Sequence, residues 1–188
     1  MNKRIFGLAL LTFATASFCF GQDSKGDTEN LQYKLLATTR TSTMQKEINE
    51  TAAQGYRIVV GAPTSGSEMA LFLSKDGTVA EPFQYKLLAT TRTGTMQKEL
   101  NDAAEGGYRL IPSTMIAKKQ TFGGDEVVMI MERPPKPTKH YSYLLLATNR
   151  TSTLQKEVTQ AKNGGYKVVG MVSRDEHMVV MERETTIP

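Results

Sequence analysis

The sequence predicts an α+β fold of three tandem β-α-β-β repeats, each with one helix on a small, mainly antiparallel sheet, and with the repeats packed together. Three observations carry this reading. A thirteen-residue motif occurs three times, as LLATTRTSTMQKE at 35–47, LLATTRTGTMQKE at 87–99 and LLATNRTSTLQKE at 145–157. Each copy is followed in register by Gly-Tyr, at 55–56, 107–108 and 165–166. Around each motif, short apolar runs give way to apolar residues at helical spacing and then return. The tyrosines that open the copies, Tyr33, Tyr85 and Tyr143, are 52 and 58 residues apart.

In chain order, residues 1–21 come first. A basic start, MNKR, precedes the apolar stretch IFGLALLTFATASFCF, which reads as a secretory signal peptide cut after Gly21. The stretch is short for a membrane span, which takes roughly 20 apolar residues. A lipoprotein signal acylated at Cys19 is the alternative, and Phe18, where a small residue is wanted, speaks against it. The expected product is exported, to the periplasm or the extracellular space, with no transmembrane segment after cleavage. Losing Lys3 and Arg4 lowers Lys plus Arg from 23 to 21 against 19 Asp plus Glu, so a net charge of +4 becomes +2. That small excess argues against nucleic acid as a partner. The sole cysteine leaves with the signal, which excludes disulfides, thiol nucleophiles and cysteine metal sites. Residues 22–31, QDSKGDTENL, are polar and read as a disordered tail.

Repeat 1 is assigned to 32–75, repeat 2 to 84–133 and repeat 3 to 142–184. The apolar runs QYKLLAT and SYLLLAT, each with an aromatic at its start, read as strands. The helix follows. Met44, Ile48 and Ala52 fall at i, i+4 and i+8; Met96, Leu100 and Ala104 repeat this, and Leu154 and Val158 begin it a third time before Lys162 interrupts. Thr43, Thr95 and Thr153 are expected to cap the helices. Gly55, Gly107 and Gly165 are expected to end them in the left-handed conformation. Small Thr51, Ala103 and Ala161 leave room for the next tyrosine. Second strands begin at YRIVV, YRLIP and YKVVG, and third strands at EMALFLS, EVVMIMER and EHMVVMER. The joins between them differ, GAPTSGS and SRDE against a long STMIAKKQTFGGD expected to extend beyond the sheet. Residues 134–141 read as a proline-rich linker.

A unit of this size is near the lower limit for an independent core. Its strands are nevertheless apolar on both faces: Val127, Met129 and Met131 point one way, Val128 and Ile130 the other. The face without a helix needs a partner. The expectation is that the open sheet faces of the three units pack on one another about a pseudo-threefold axis, with a dimer through that face as the alternative.

The order of strand, helix, Gly-aromatic, strand and apolar strand resembles a bacterial family of short domains of unknown function. Its usual signature is a first strand like Tyr-Lys-Val-Val and a helix ending in Gly-Trp-Glu-Leu-Val. Here the signature reads GYRIV, GYRLI and GYKVV, with Tyr for Trp and a base for Glu, and the resemblance covers nearly all of 32–183 in three copies. It implies a small α+β fold and carries over no catalytic residue.

The residues that could do chemistry are few, and no enzyme is expected. After signal removal His140 and His177 are the only histidines, and neither recurs in the other copies. His177, beside Asp175 and Glu176, reads as part of a charged turn rather than a metal site. FGGD at 122–125 lacks the Lys-Ser/Thr of a phosphate loop, and NRT at 149–151 is TRT elsewhere, so it is not read as a glycosylation signal. No cofactor is expected.

The recurring Arg-Thr-x-Thr needs its own account. Arg40, Thr41, Thr43 and Lys46 stand at the start of the first helix, Arg92, Thr93, Thr95 and Lys98 at the second, Arg150, Thr151, Thr153 and Lys156 at the third. A helix N-terminus, hydroxyl donors and a guanidinium fork suit an anion, so a phosphate or an anionic glycan is the ligand expected there. Three such pockets would grip a polymer with avidity. The competing reading is that the threonines cap and the arginines pair with Glu47, Glu99 and Glu157. The function expected is a non-catalytic exported binding or scaffold protein. The alternative is a structural envelope-associated protein that engages a protein partner through exposed sheet edges or faces.

Overall fold

Strand, helix, strand and strand recur three times in the computed structural model, which describes residues 32–64, 66–75, 77, 81–120 and 124–186. The expected signal peptide and tail, 1–31, lie outside the described residues. The first unit comprises β1 (Gln32–Thr38), α1 (Thr41–Ala53), β2 (Arg57–Pro63) and β3 (Met69–Lys75). The second comprises β4 (Gln84–Thr90), α2 (Thr93–Glu105), β5 (Arg109–Leu110), β6 (Ile116–Lys118) and β7 (Glu126–Arg133). The third comprises β8 (Lys139–Thr148), α3 (Thr151–Asn163), β9 (Lys167–Ser173) and β10 (His177–Thr186). Within each sheet the last strand lies in the middle: β1-β3-β2, β4-β7-β5 with β6 also on β7, and β8-β10-β9. All pairings are antiparallel, so the first and second strands of a unit run parallel to each other on either side of the third. The helix is the crossover that such a pair requires.

The helices stop as the sequence predicts. Gly55, Gly107 and Gly165 have φ of 92°, 82° and 85°. The N–H of the following tyrosine, Tyr56, Tyr108 or Tyr166, then donates back to the carbonyl of Thr51, Ala103 or Ala161 at 3.2–3.3 Å, closing a Schellman turn.

Two expected boundaries move. β8 already begins at Lys139 and pairs with the end of β10, so the linker is shorter than 134–141 and His140 is a strand residue opposite Thr185. The long join in the second unit does not simply project outward. It makes a single 3₁₀ turn at Pro112–Thr114 and returns as β6 to pair with β7. Buried Thr114 holds the interruption together, its hydroxyl donating to the Ile111 carbonyl at 2.8 Å and accepting from the Ile130 N–H at 3.1 Å.

The units stack in sequence, and the expected packing of open face on open face is not what forms. One core unites Met44, Ile48 and Ala52 of α1, Leu71 and Leu73 of its own sheet, and Tyr85, Val128 and Ile130 from the helix-free face of the second sheet. The next unites Met96, Leu100 and Ala104 of α2, Met129 and Met131, and Tyr143, Leu145 and Val180 from the helix-free face of the third sheet. Each of the first two helices is therefore sandwiched between its own sheet and the next one. A helix presents apolar positions over more than one narrow stripe, which lets one element close two sheets. The third core, Ala161, Val179 and Met181 with half-buried Leu144, Leu154 and Val158, has no further sheet upon it among the described residues.

Polar side chains fasten the same junctions. Gln45 reaches the edge strand of the second sheet, its Nε2 donating to the Tyr85 carbonyl (3.1 Å) and its Oε1 accepting from the Leu87 N–H (2.6 Å). At the second junction Gln97 Oε1 accepts from the Leu145 N–H (2.9 Å), while Asn101 takes both backbone groups of Tyr143. Edge-strand groups that would otherwise be open are thereby satisfied.

Candidate functional site

The three Arg-Thr-x-Thr segments each turn a strand into a helix. Arg40, Arg92 and Arg150 are extended and occupy the N-cap position, and their backbone N–H groups donate to Thr38, Thr90 and Thr148 Oγ1 at 3.1–3.2 Å. Thr41, Thr93 and Thr151 are the first helical residues. Thr43, Thr95 and Thr153 thus lie inside the helix and do not cap it; the N-cap makes no side-chain cap bond. The turn is closed two residues before the arginine by the strand's own last threonine, and the helix starts three positions earlier than a cap at Thr43, Thr95 or Thr153 would give. Lys46, Lys98 and Lys156 accordingly fall in the second helical turn. Lys46 and Lys98 lean toward the C-terminus, to Glu50 (3.8 Å) and Asp102 (2.6 Å), and Lys156 is exposed. The side chains of Arg40, Arg92 and Arg150 are exposed and have no salt-bridge partner among the described residues, so they do not pair with Glu47, Glu99 and Glu157.

Two of the segments are held by the unit that follows. Buried Lys118, paired with Glu126 at 3.3 Å, donates to the Thr39 carbonyl at 2.7 Å. Arg174 donates to the Thr91 carbonyl at 2.6 Å and the Asp125 carbonyl at 3.2 Å through Nη1, and to Thr93 Oγ1 at 3.0 Å through Nη2. The Thr93 hydroxyl donates in turn to Glu176 at 3.1 Å. A cleft of about 350 Å³ lies between the second and third segments, with Thr91 on one side and Asn149 on the other. Its remaining charged walls are Asp125, Asp175, Glu176 and the already engaged Arg174, so an anion there would meet three carboxylates. What the structure shows of the segments at the first and second helices is a joint between units.

A larger cleft, of about 900 Å³, went unnoticed in the sequence. It lies where both linkers cross the end of the first unit, and Tyr56, Arg57, Lys75, Phe83, Pro135 and Lys136 are among its walls. Arg57 holds it together: its guanidinium lies 3.8 Å from the Phe83 ring centroid and donates to both Glu132 oxygens at 3.2 Å, a stacked and paired arrangement. Arg109 repeats this at the next junction, 5.0 Å from the Tyr141 ring and 2.8 Å from Glu182. The signal for both was an aromatic two residues before each strand tyrosine, Phe83 and Tyr141, together with the base after Gly-Tyr.

The most distinctive surface is the helix-free face of the first sheet. Tyr33 is 63% exposed, while its counterparts Tyr85 and Tyr143 are 4% and 2%. Phe72, paired across the sheet with Leu35, is 47% exposed, whereas Ile130 and Val180 in the same register are fully buried. Leu35 and Val60 extend this bare apolar patch. Among the described residues, no group of His, Cys, Asp and Glu has the proximity to hold a metal ion, and no helix is long and apolar enough to cross a membrane. Comparison with known proteins returned no matching family model, no matching curated protein and no matching solved structure.

Proposed function

We propose that this chain is a non-catalytic exported scaffold protein that works by holding a protein partner on the helix-free face of its first sheet. One observation carries the reading: Tyr33, Leu35, Val60 and Phe72 are exposed together on a face that the second and third sheets bury. An apolar patch of this kind, on a sheet whose edge strand β1 pairs only with β3 among the described residues, marks an interaction surface. The signal-like start supports export. The titratable groups support a non-catalytic role, because buried Glu182 and Tyr143 are consumed in a junction with Arg109 and the Leu110 N–H. This reading takes up the alternative expected from sequence, engagement through exposed sheet faces, in preference to anion binding at the helix starts.

The test is capture from the exported fraction of the source cell. Wild-type chain and a Lys156→Glu control, altered at an exposed position of α3 whose counterparts Lys46 and Lys98 stay exposed beside the internal junctions, are expected to retain the same protein. Leu35→Glu is expected to lose it, since burying a carboxylate in an apolar contact is costly. Equal capture by all three would sink the proposal.

A further inference from the structure

Resting on that reading, we infer that the partner is a second copy of this chain, docked head to tail: the α3 end of one molecule covers the helix-free face of the first sheet of another. The two ends are the halves of a junction that the molecule already makes twice. At the α3 end, Val168 on the helix-bearing face of the third sheet is 51% exposed, whereas its counterparts Ile58 and Leu110 are 8% and 2% exposed under the following sheet. Leu154 and Val158 are half-buried where Met44, Ile48, Met96 and Leu100 are fully buried. What is missing at this end is a sheet face carrying a Tyr and a Leu, and the opposite end offers one.

The directional contacts are conserved in the repeat. Ile58 N–H donates to Tyr85 Oη at 3.3 Å, and Leu110 N–H to Tyr143 Oη at 2.8 Å. The corresponding pair is Val168 N–H and the Tyr33 hydroxyl of the next molecule. Gln45 and Gln97 bind the backbone of Leu87 and Leu145; Gln155 holds the same position, is exposed, and bonds only within α3, to Thr159, among the described residues. Its corresponding partner is Leu35. The ion pairs are not repeated. Where Arg57 meets Glu132 and Arg109 meets Glu182, the end-to-end junction sets Lys167 against Ser74, the residue opposite Tyr33 in the sheet. The contact must also accommodate Lys162, exposed on α3 where Ala52 and Ala104 are buried in the internal junctions, so it is weaker than the internal ones, reversible rather than permanent. A contact between unlike surfaces does not close on itself as a twofold dimer does, so it builds chains or rings.

The experiment is sedimentation of the chain purified after export, over a concentration series, with two end-blocked variants. Wild type is expected to grow in mass with concentration. Leu35→Glu blocks one end and Val168→Glu the other, both at exposed positions, so each should fold with a wild-type circular dichroism spectrum and self-associate at least tenfold more weakly. Mixed one to one, they should form a dimer that neither forms alone, because each retains the end the other lacks. Wild type that stays monomeric at every concentration overturns the inference, as does association that the variants leave unchanged or that mixing fails to restore. Monomeric wild type together with Leu35-dependent capture of a different protein would overturn only the head-to-tail inference, leaving the proposed function in place.

Discussion

Tyr143 joins two units through one hydroxyl, which accepts from the Leu110 N–H at 2.8 Å and donates to Glu182 at 2.9 Å. Burial drives its ionisation far above the ordinary tyrosine value, and Glu182 adds to the effect. The phenol in the folded chain therefore stays neutral at pH values where an unfolded one ionises. Stability from this group is complete below about pH 10 and declines as pH rises beyond it, because the unfolded state releases its proton first. Tyr85 is shifted the same way by burial. Tyr143→Phe is expected to cost about 1–3 kcal/mol at neutral pH, from the unpaired Leu110 N–H and Glu182, and to make the alkaline loss of stability shallower; urea titrations between pH 7 and 11 measure both. The sequence displays Tyr33, Tyr85 and Tyr143 as equals. It could not show that one lies bare, since the difference comes entirely from whether a unit precedes it.

Helix position in the stack decides what a core substitution costs. Leu100 of α2 is fully buried between two sheets, whereas Val158 of α3 is half-buried against one. Leu100→Ala is expected to destabilise by about 2–5 kcal/mol, through lost transfer energy and a cavity with little means of collapse. Val158→Ala should cost about 1 kcal/mol or less, because solvent already reaches the site. Chemical denaturation midpoints at constant slope read the difference. Helix spacing, glycine stops and the opposed faces of the third strands were all legible, each being set by short-range periodicity or by φ at a single residue. The helix start was not. Thr38, Thr90 and Thr148 close the turn ahead of the arginines, and the Thr-x-Thr that follows offers the same residue type at several plausible positions.

Across the whole molecule burial falls away at the last unit. Among the described residues, fourteen buried ones form the core around α2 and twelve the core around α1, against three around α3, so the third helix has the least to lose by opening. Native-state hydrogen exchange should find α3 amides opening at lower free energy than those of α1 and α2; equal protection in all three helices would contradict the serial arrangement. Composition and repetition revealed three units and their need for mutual cover. The order of stacking escaped them, because near-identical copies carry near-identical faces and only chain connectivity decides which helix meets which sheet. The split second strand of the middle unit was equally hidden: its 3₁₀ turn depends on Thr114 finding Ile130 across the sheet.

Gln45 and Gln97 sit at the same motif position, and each reaches forward into a neighbour's backbone. Backbone contacts do not depend on which side chain the neighbour carries, so the coupling tolerates drift in the partner while keeping its geometry. An additional copy inserted beside the middle one would find a compatible seat on both sides at once. Growth by tandem copying is thus built into this architecture, and the number of modules is free to change without redesign of any single one.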